Sequence, residues 1–251
     1  MTEALLETRS LGKSFGALTA ARDINFRLEP GARHALIGPN GAGKTTFINL
    51  LTGVFLPTQG QVLLKGRDIT TMQQSARVKL GIARTFQINR LFRGLSVLEN
   101  VYIAVAERLG TGNSVFKPAG MCKDVVEEAM RLLDMLKLAA DAEHRISELP
   151  YGRQRLVELA IALGLEPEVL LLDEPAAGVP SAESHIILDA VAALPKHIGV
   201  LIIDHDMDLV FRFAQRITVL VGGAIFAEGT PREIGADQRV RDVYLGQAHH
   251  G

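Results

Sequence analysis

Apolar positions at the start of the chain come in short runs, "LLETR" (5–9), "INFRL" (24–28) and "HALIG" (34–38), separated by Gly and Pro. Runs of that length, punctuated in that way, predict strands. The period lengthens in "KTTFINLLTG" (44–53), which predicts a helix stopped by Gly53 with Pro57 beyond it. "QVLLKG" (61–66) returns to a strand pattern. After Gln87 the chain reads as helical. "SVLENVYIAVAERLG" (96–110) opens with Ser96 and has Glu99 three residues on, a capping box. "KDVVEEAMRLLDMLKL" (123–138) sets Val126, Met130, Leu133 and Leu136 at helical spacing, and the Gly/Pro-rich "GTGNSVFKPAG" (110–120) between the helices reads as a loop. Residues 88–147 therefore form a helical lobe. From 165 onward the alternation resumes: a strand at 169–173, a helix at 181–194, a strand at 199–204, a short helix, and a hairpin over 216–229 turning at Gly222–Gly223. Strands alternating with helices imply an α/β core with a largely parallel sheet, interrupted by the lobe.

Composition narrows the class. The 251 residues, 47% of them apolar, suffice for one large domain or a core with a smaller lobe. A net charge of −1 argues against a nucleic-acid-coating protein. The single cysteine, Cys122, excludes an internal disulfide, suits a reducing cytoplasm and is assigned no chemistry. No apolar run approaches the roughly 18–20 residues of a membrane span. The acid-bearing "MTEALLETRS" does not read as an export signal, so any membrane role is expected to be docking from the cytoplasmic side. The terminal "HHG" is too short to read as a metal site.

Four elements carry chemistry. "GPNGAGKTT" (38–46) fits G-x-x-x-x-G-K-[ST] between a strand and a helix. Gly38, Pro39, Asn40, Gly41, Ala42 and Gly43 supply a loop whose amides fold around phosphate oxygens at a helix N-terminus. Lys44 reaches the outer phosphates, the Thr45 hydroxyl ligates Mg²⁺, and Thr46 counts with them among the cofactor-binding residues. "VLLLDEP" (169–175) delivers Asp173 to the carboxyl edge of a sheet as a Mg²⁺ ligand, with Glu174 placed to act on an attacking water. "LIIDHD" (201–206) ends a strand with His205, expected beside the carboxylate-bearing strand and near a γ-phosphate. Gln87, where the lobe begins, offers a neutral amide to Mg²⁺ or water.

In this order, with "LPYGRQ" (149–154) between P-loop and "LLLDEP", these elements resemble the ATP-binding subunit of an ABC transporter over nearly the whole chain. The resemblance implies ATP and Mg²⁺ as cofactors and a P-loop NTPase core with a mostly parallel sheet, an N-terminal antiparallel β subdomain and an inserted helical subdomain. It implies a core of 1–87 and 165–251 and a signature lobe of 88–164. It gives Phe15 in "KSFG" an adenine-stacking role and places Pro150, Tyr151, Gly152 and Arg153 at the signature. "GIARTFQINRLFRGLSVLENV" (81–101), "LLLDEPAAGVPSAES" (170–184), "IIDHDMDLVF" (202–211) and "VRDVYLG" (240–246) are similar to the G-type ATP-binding subunit of branched-chain amino acid importers. Urea, amide and lipopolysaccharide-export ATPases share much of this wording. The implied partners are a second ATP-binding subunit, transmembrane permeases and, indirectly, a periplasmic binding protein. The implied place is the cytoplasmic face of the inner membrane. "QINRLFRGL" (87–95) is the expected permease contact, with Leu91, Phe92 and Leu95 either in it or in the core.

Two positions depart from the family. The usual signature is L-S-G-G-Q, and Pro150 removes both the hydroxyl and the amide of its Ser, leaving the Gly152 amide and the Arg153 cation for an anion. Pro180 in "AAGVPSAES" stands where Asp is frequent. Both lie in elements that, by the resemblance, act across a dimer on the partner's nucleotide. That one-sided pattern favours a heterodimer with unequal sites over a homodimer; the bland alternative is a pair of tolerated variants. A soluble ABC ATPase acting on nucleic acid or ribosomes, and a P-loop kinase or GTPase, are the rival classes. The chain has neither a second cassette nor a basic excess, and it has no guanine-reading motif.

Overall fold

The computed structural model describes residues 3–85, 91–111, 122–204 and 206–245. They divide into two compact units, one of 1–82, 168–174 and 195–251, the other of 83–167 and 175–194. The sequence reading assigned 175–194 to the core. It groups instead with the helical unit, because the helix it contains packs on the helix after the signature.

The first unit holds two sheets. One is antiparallel, built from β1 (Leu6–Phe15), β2 (Leu18–Ile24), β3 (Arg27–Leu28), β5 (Gln59–Leu64) and β6 (Arg67–Asp68), in the order β2-β1-β5-β6 with β3 also on β1. The other has the order β11-β10-β4-β9-β8-β7. Its members are β4 (Arg33–Ile37), β7 (Ile82–Arg84, where the two units divide), β8 (Val169–Asp173), β9 (Gly199–Ile203), β10 (Arg216–Val221) and β11 (Ala224–Gly229). β10, β4, β9 and β8 run parallel, and β11 closes the hairpin antiparallel. Every residue of β4, β8 and β9 is buried, as expected for strands covered on both faces. Phe26, Phe47, Ile48, Leu50 and Leu51 pack with Leu36, Leu171 and Leu201 into one core that joins α1 (Lys44–Thr52) to both sheets.

α1 ends as expected, at Gly53 with φ 77. Its last carbonyls find a partner the sequence did not announce. Arg77, fully buried on α2 (Gln74–Lys79), donates to the carbonyls of Leu50 and Leu51 at 2.7 and 2.8 Å and to those of Thr70 and Met72 at 2.8 and 3.0 Å. Burial lowers its guanidinium to about 10, with Asp68 opposing.

In the second unit, α3 (Val97–Arg108) begins with the expected capping box: the Glu99 amide donates to Ser96 Oγ at 3.1 Å and the Ser96 amide to Glu99 Oε2 at 2.7 Å. α4 (Lys123–Met135) buries Leu133, and Leu136 after it, as expected, with Val125 and Ala129 in place of Val126 and Met130. α5 (Tyr151–Gly164) ends at Gly164, where a Cβ would stand 3.2 Å from Val105 Cγ2, so α3 and α5 approach closely there. α6 (Ser181–Ala192) completes this unit. α7 (Met207–Phe213), α8 (Pro231–Ala236) and α9 (Gln238–Leu245) belong to the first. Among the described residues no helix is long and apolar enough to cross a membrane.

Candidate active site

Strand register fixes the site. β8 and β9 end level, with Asp173 opposite Ile203, and β4 lies on the other side of β9 with Leu36 opposite Ile203. The loop after β4 and the carboxylate at the end of β8 therefore emerge on one edge, where parallel sheets collect ligands. β9 lies beside β8 as expected, but His205 and Gln87 lie outside the described residues.

The loop Gly38–Gly43 is built by backbone conformations that glycine permits. Gly41 and Gly43 have φ of 76 and 98. Gly43 is the N-cap of α1, and a Cβ there would stand 2.5 Å from the Ala20 carbonyl oxygen. The loop is braced by the Gly223 amide of the β10–β11 turn, which donates to the Ala42 carbonyl at 3.0 Å. No side chain caps α1, so its first-turn amides and the helix dipole face the edge where an anion would sit. Pro39 and Asn40 form the outer part of the loop, Thr45 is exposed on the first turn, and Thr46 is half-buried.

Lys44 Nζ donates to the carbonyls of Gly38 and Pro39 at 2.5 and 2.9 Å. Burial pushes its ammonium below the usual lysine value, opposed by the negative charges of Glu174 and Asp173. Asp173 is 6% exposed. Glu174 adopts φ 46, a left-handed conformation for a residue with a Cβ, and its amide donates to the Ile203 carbonyl at 2.8 Å. Such backbone is held by its surroundings and is found at functional sites. The site also contains a carboxylate that the sequence reading passed over: Asp204, 4% exposed, directly after β9. Its signal is an Asp immediately after a buried apolar run, the pattern that also marks Asp173.

The donor set suits Mg²⁺. A threonine hydroxyl and a carboxylate are hard oxygen ligands, and Mg²⁺ is ordinarily held by one or two carboxylates together with substrate phosphates. Among the described residues no group of three or more His, Cys, Asp or Glu is gathered as a metal cage. Phe15, at the end of β1, is 43% exposed, edge-on to Phe55 at 5.4 Å with Lys13 Nζ 5.1 Å from its ring centroid.

The signature region lies in the other unit. Pro150 is the N-cap of α5, one position before the helix. Tyr151 is exposed at the first turn, Gly152 is buried, and the Arg153 guanidinium is paired with the Asp141 carboxylate. That pairing offsets the charge the sequence reading gave Arg153 for an anion. Pro180 is the N-cap of α6. Leu91 is buried, whereas Phe92 is 57% exposed.

The family model for the ABC transporter matches residues 21–177, spanning the loop, Asp173 and Glu174. This chain belongs to the ABC transporter family. A second model, for branched-chain amino acid ATP-binding cassette transporters, matches residues 224–250 of the cassette. Among curated proteins, the high-affinity branched-chain amino acid transport ATP-binding protein LivG of Escherichia coli K12 is 37% identical over 255 residues, covering 99% of this cassette and 100% of LivG. Among solved structures, the ATP-binding cassette MJ1267 in its ADP conformation superposes with TM-score 0.86 at 33% identity, covering 98% of this chain and 100% of that one. A dimeric, post-hydrolysis state of the cassette MJ0796 bound to ADP and Pi superposes with TM-score 0.73 at 25% identity, covering 90% and 99%. The fold is that of an ABC ATPase, a P-loop core with an antiparallel β subdomain and a helical insertion.

Proposed function

We propose that this ABC ATPase energises uptake of branched-chain or related amino acids. In this reading it sits peripherally on the cytoplasmic face of the plasma membrane, docked on permease subunits and supplied by a periplasmic binding protein. The observation that carries the cargo is the match of residues 224–250 to the branched-chain model, together with the full-length likeness to LivG. That match supports amino acids ahead of urea, amides or lipopolysaccharide. Dimerisation is supported by the solved dimer of MJ0796. A heterodimer is supported by the one-sided substitutions at Pro150 and Pro180.

The chemistry follows from the geometry. The uncapped start of α1 and the loop amides take the phosphates, and Lys44 adds a desolvated cation. Thr45 and Asp173 would hold Mg²⁺, with Gln87 as the third ligand the resemblance implies. Bound there, Mg²⁺ would offset phosphate charge. Glu174, fixed by its bond to Ile203, orients and deprotonates the attacking water. His205 would contact the γ-phosphate from the end of β9, and Phe15 would stack on adenine. Gly38 and Gly43 let the loop pack closely on the carbonyls of Leu220 and Ala20.

The test is reconstitution with both permeases, a second ATPase and the binding protein in vesicles. Uptake of leucine, isoleucine or valine should require ATP and stop with Lys44→Ala. A complex that hydrolyses ATP yet moves none of the three refutes the cargo. Purified protein with no affinity for adenine nucleotides refutes the whole reading.

A further inference from the structure

Within the helical unit, the start of α5 is tied to the turn that follows Glu174. Residues 176–179 are closed by the Val179 amide donating to the Ala176 carbonyl at 3.1 Å. Gly178, third in the turn, has φ 76, while Ala177 before it keeps a negative φ. That pairing makes a type II turn. Types II and I differ by a flip of the central peptide, which sends the carbonyl of the second residue to the opposite face. Here that carbonyl, of Ala177, accepts from Arg155 Nη2 at 3.4 Å. Arg155 has a buried side chain, 4% exposed, with Nη1 on Glu158 Oε2 at 2.8 Å. Its guanidinium carbon lies 5.2 Å from the Tyr151 ring centroid. The Tyr151 ring closes over Gly178, where a Cβ would stand 3.1 Å from Cε1.

We infer that Tyr151 and Arg155 form a clamp that holds the Ala177–Gly178 peptide in its type II orientation, and that Arg155 is thereby a positioning residue for hydrolysis. The inference rests on the reading that Glu174 acts on water. Glu174 is held on its amino side by the bond to Ile203, in a left-handed conformation its own side chain disfavours. Its carboxyl side leads through Pro175 directly into the turn. Loss of the clamp frees that second anchor. The aromatic member is a departure from the usual L-S-G-G-Q, which has glycine where Tyr151 stands, and a glycine has no ring to close over Gly178.

The first experiment is hydrogen–deuterium exchange on the full nucleotide-free chain, which needs no activity. Arg155→Lys keeps the charge and removes the guanidinium fork. It is expected to speed exchange at Val179 about tenfold, in line with loss of one charge-assisted bond, with the later turns of α5 unchanged. Tyr151→Ala should do the same, and Tyr151→Phe, which keeps the ring, should retain wild-type exchange. Equal exchange in Arg155→Lys and wild type overturns the clamp. The second is steady-state ATPase of the assembled complex. Arg155→Lys should lower kcat about tenfold, with KM for ATP within about twofold, since the group acts on the transition state through Glu174. A raised KM with kcat retained overturns the positioning role. Should Arg155→Lys fail to fold, Gly178→Ala leaves α5 intact and displaces the turn by pressing a methyl on the ring; the same kcat loss is expected, and wild-type kcat overturns the role. A wild-type complex without ATPase activity would end the hydrolysis reading, and exchange alone would then judge the clamp.

Discussion

His34 is the second residue of β4, the strand that carries the phosphate loop, and it makes the stability of that strand dependent on pH. It is 1% exposed, with its ring 4.8 Å from that of Phe26. Its Nε2 lies 2.8 Å from Thr218 Oγ1, and Thr218 Oγ1 donates to Glu228 Oε2 at 2.9 Å. The single hydroxyl proton is thus committed to Glu228, so the imidazole donates through Nε2–H and is neutral, with the proton off Nδ1. Burial lowers its pKa from 6.5 to about 4; Glu228 opposes the shift and Arg216 adds to it. A group depressed in the folded state contributes stability that is fully present above its unfolded pKa. That stability drains as pH falls, because the unfolded chain takes up the proton first. The window runs from 6.5 down to about 4, and the gap amounts to roughly 3 kcal/mol at about 1.4 kcal/mol per unit. Urea unfolding of wild type and His34→Gln, from about pH 7.5 to about pH 4.5, reads it directly. Gln keeps a donor for Thr218 and cannot titrate. The wild-type advantage should shrink by about 2–3 kcal/mol across that range. Parallel stability curves for the two proteins would refute the argument.

Other perturbations separate the parts of the site. Gly43→Ala forces a Cβ to within 2.5 Å of the Ala20 carbonyl oxygen at φ 98; it should cost about 2 kcal/mol of stability by thermal unfolding and weaken MgATP binding at least about tenfold. Phe15→Ala removes an exposed ring, so stability should hold within about 0.5 kcal/mol while affinity for adenine nucleotides falls about tenfold; unchanged affinity removes Phe15 from the site. Arg77→Met strands two carbonyls at the end of α1 and two in the segment before α2 and should cost about 3–5 kcal/mol in denaturant titration. Pro150→Ser restores a hydroxyl and an amide at the signature. If the donors there matter as in other preorganised sites, where each is worth about 2.7–4 kcal/mol, ATPase of the assembled complex should rise severalfold or more; no rise identifies Pro150 as a tolerated variant.

What the sequence made legible was whatever depends on local spacing. The P-loop glycines, the Ser96–Glu99 box, the turn at Gly222–Gly223 and the all-buried strands at 34–37, 169–173 and 199–203 are local patterns, and each is in the structure. The misses depend on distant partners. Leu18–Ile24 was not read as a strand because it alternates poorly; it forms by pairing with β1 across a tight turn. Arg77 is a charged residue in a polar stretch, and only the arrival of the α1 terminus explains its burial. On α4 the expected Leu133 and Leu136 are buried, but Val125 and Ala129 take the core positions expected of Val126 and Met130, because both pairs fit helical spacing and packing chooses between them. Asp204 carries no role in the spacing argument; strand register, which spacing cannot supply, brings it to the same sheet edge as Asp173, one residue beyond the pairing of Asp173 with Ile203.

The division of the chain into two units gives the substitution pattern a physical basis. Lys44, Asp173 and Glu174 lie in the unit built on the parallel sheet, and their motif is unaltered. Pro150, Tyr151 and Pro180 lie in the helical unit, together with the Arg155 bridge to Ala177. Asp173 ends a strand buried throughout and Glu174 follows it directly, so a change there would propagate into the core. Residues in the second group sit at exposed helix starts, where a proline N-cap forfeits no intrahelical hydrogen bond and exposure leaves room for change. The helical unit can therefore lose conventional signature donors without unfolding, and Tyr151 with Arg155 replaces flexibility there with a packed brace. Comparing the two groups by thermal unfolding is decisive: equal destabilisation by single substitutions at Asp173 and at Pro150 would remove the structural reason for expecting unequal nucleotide sites in the proposed dimer.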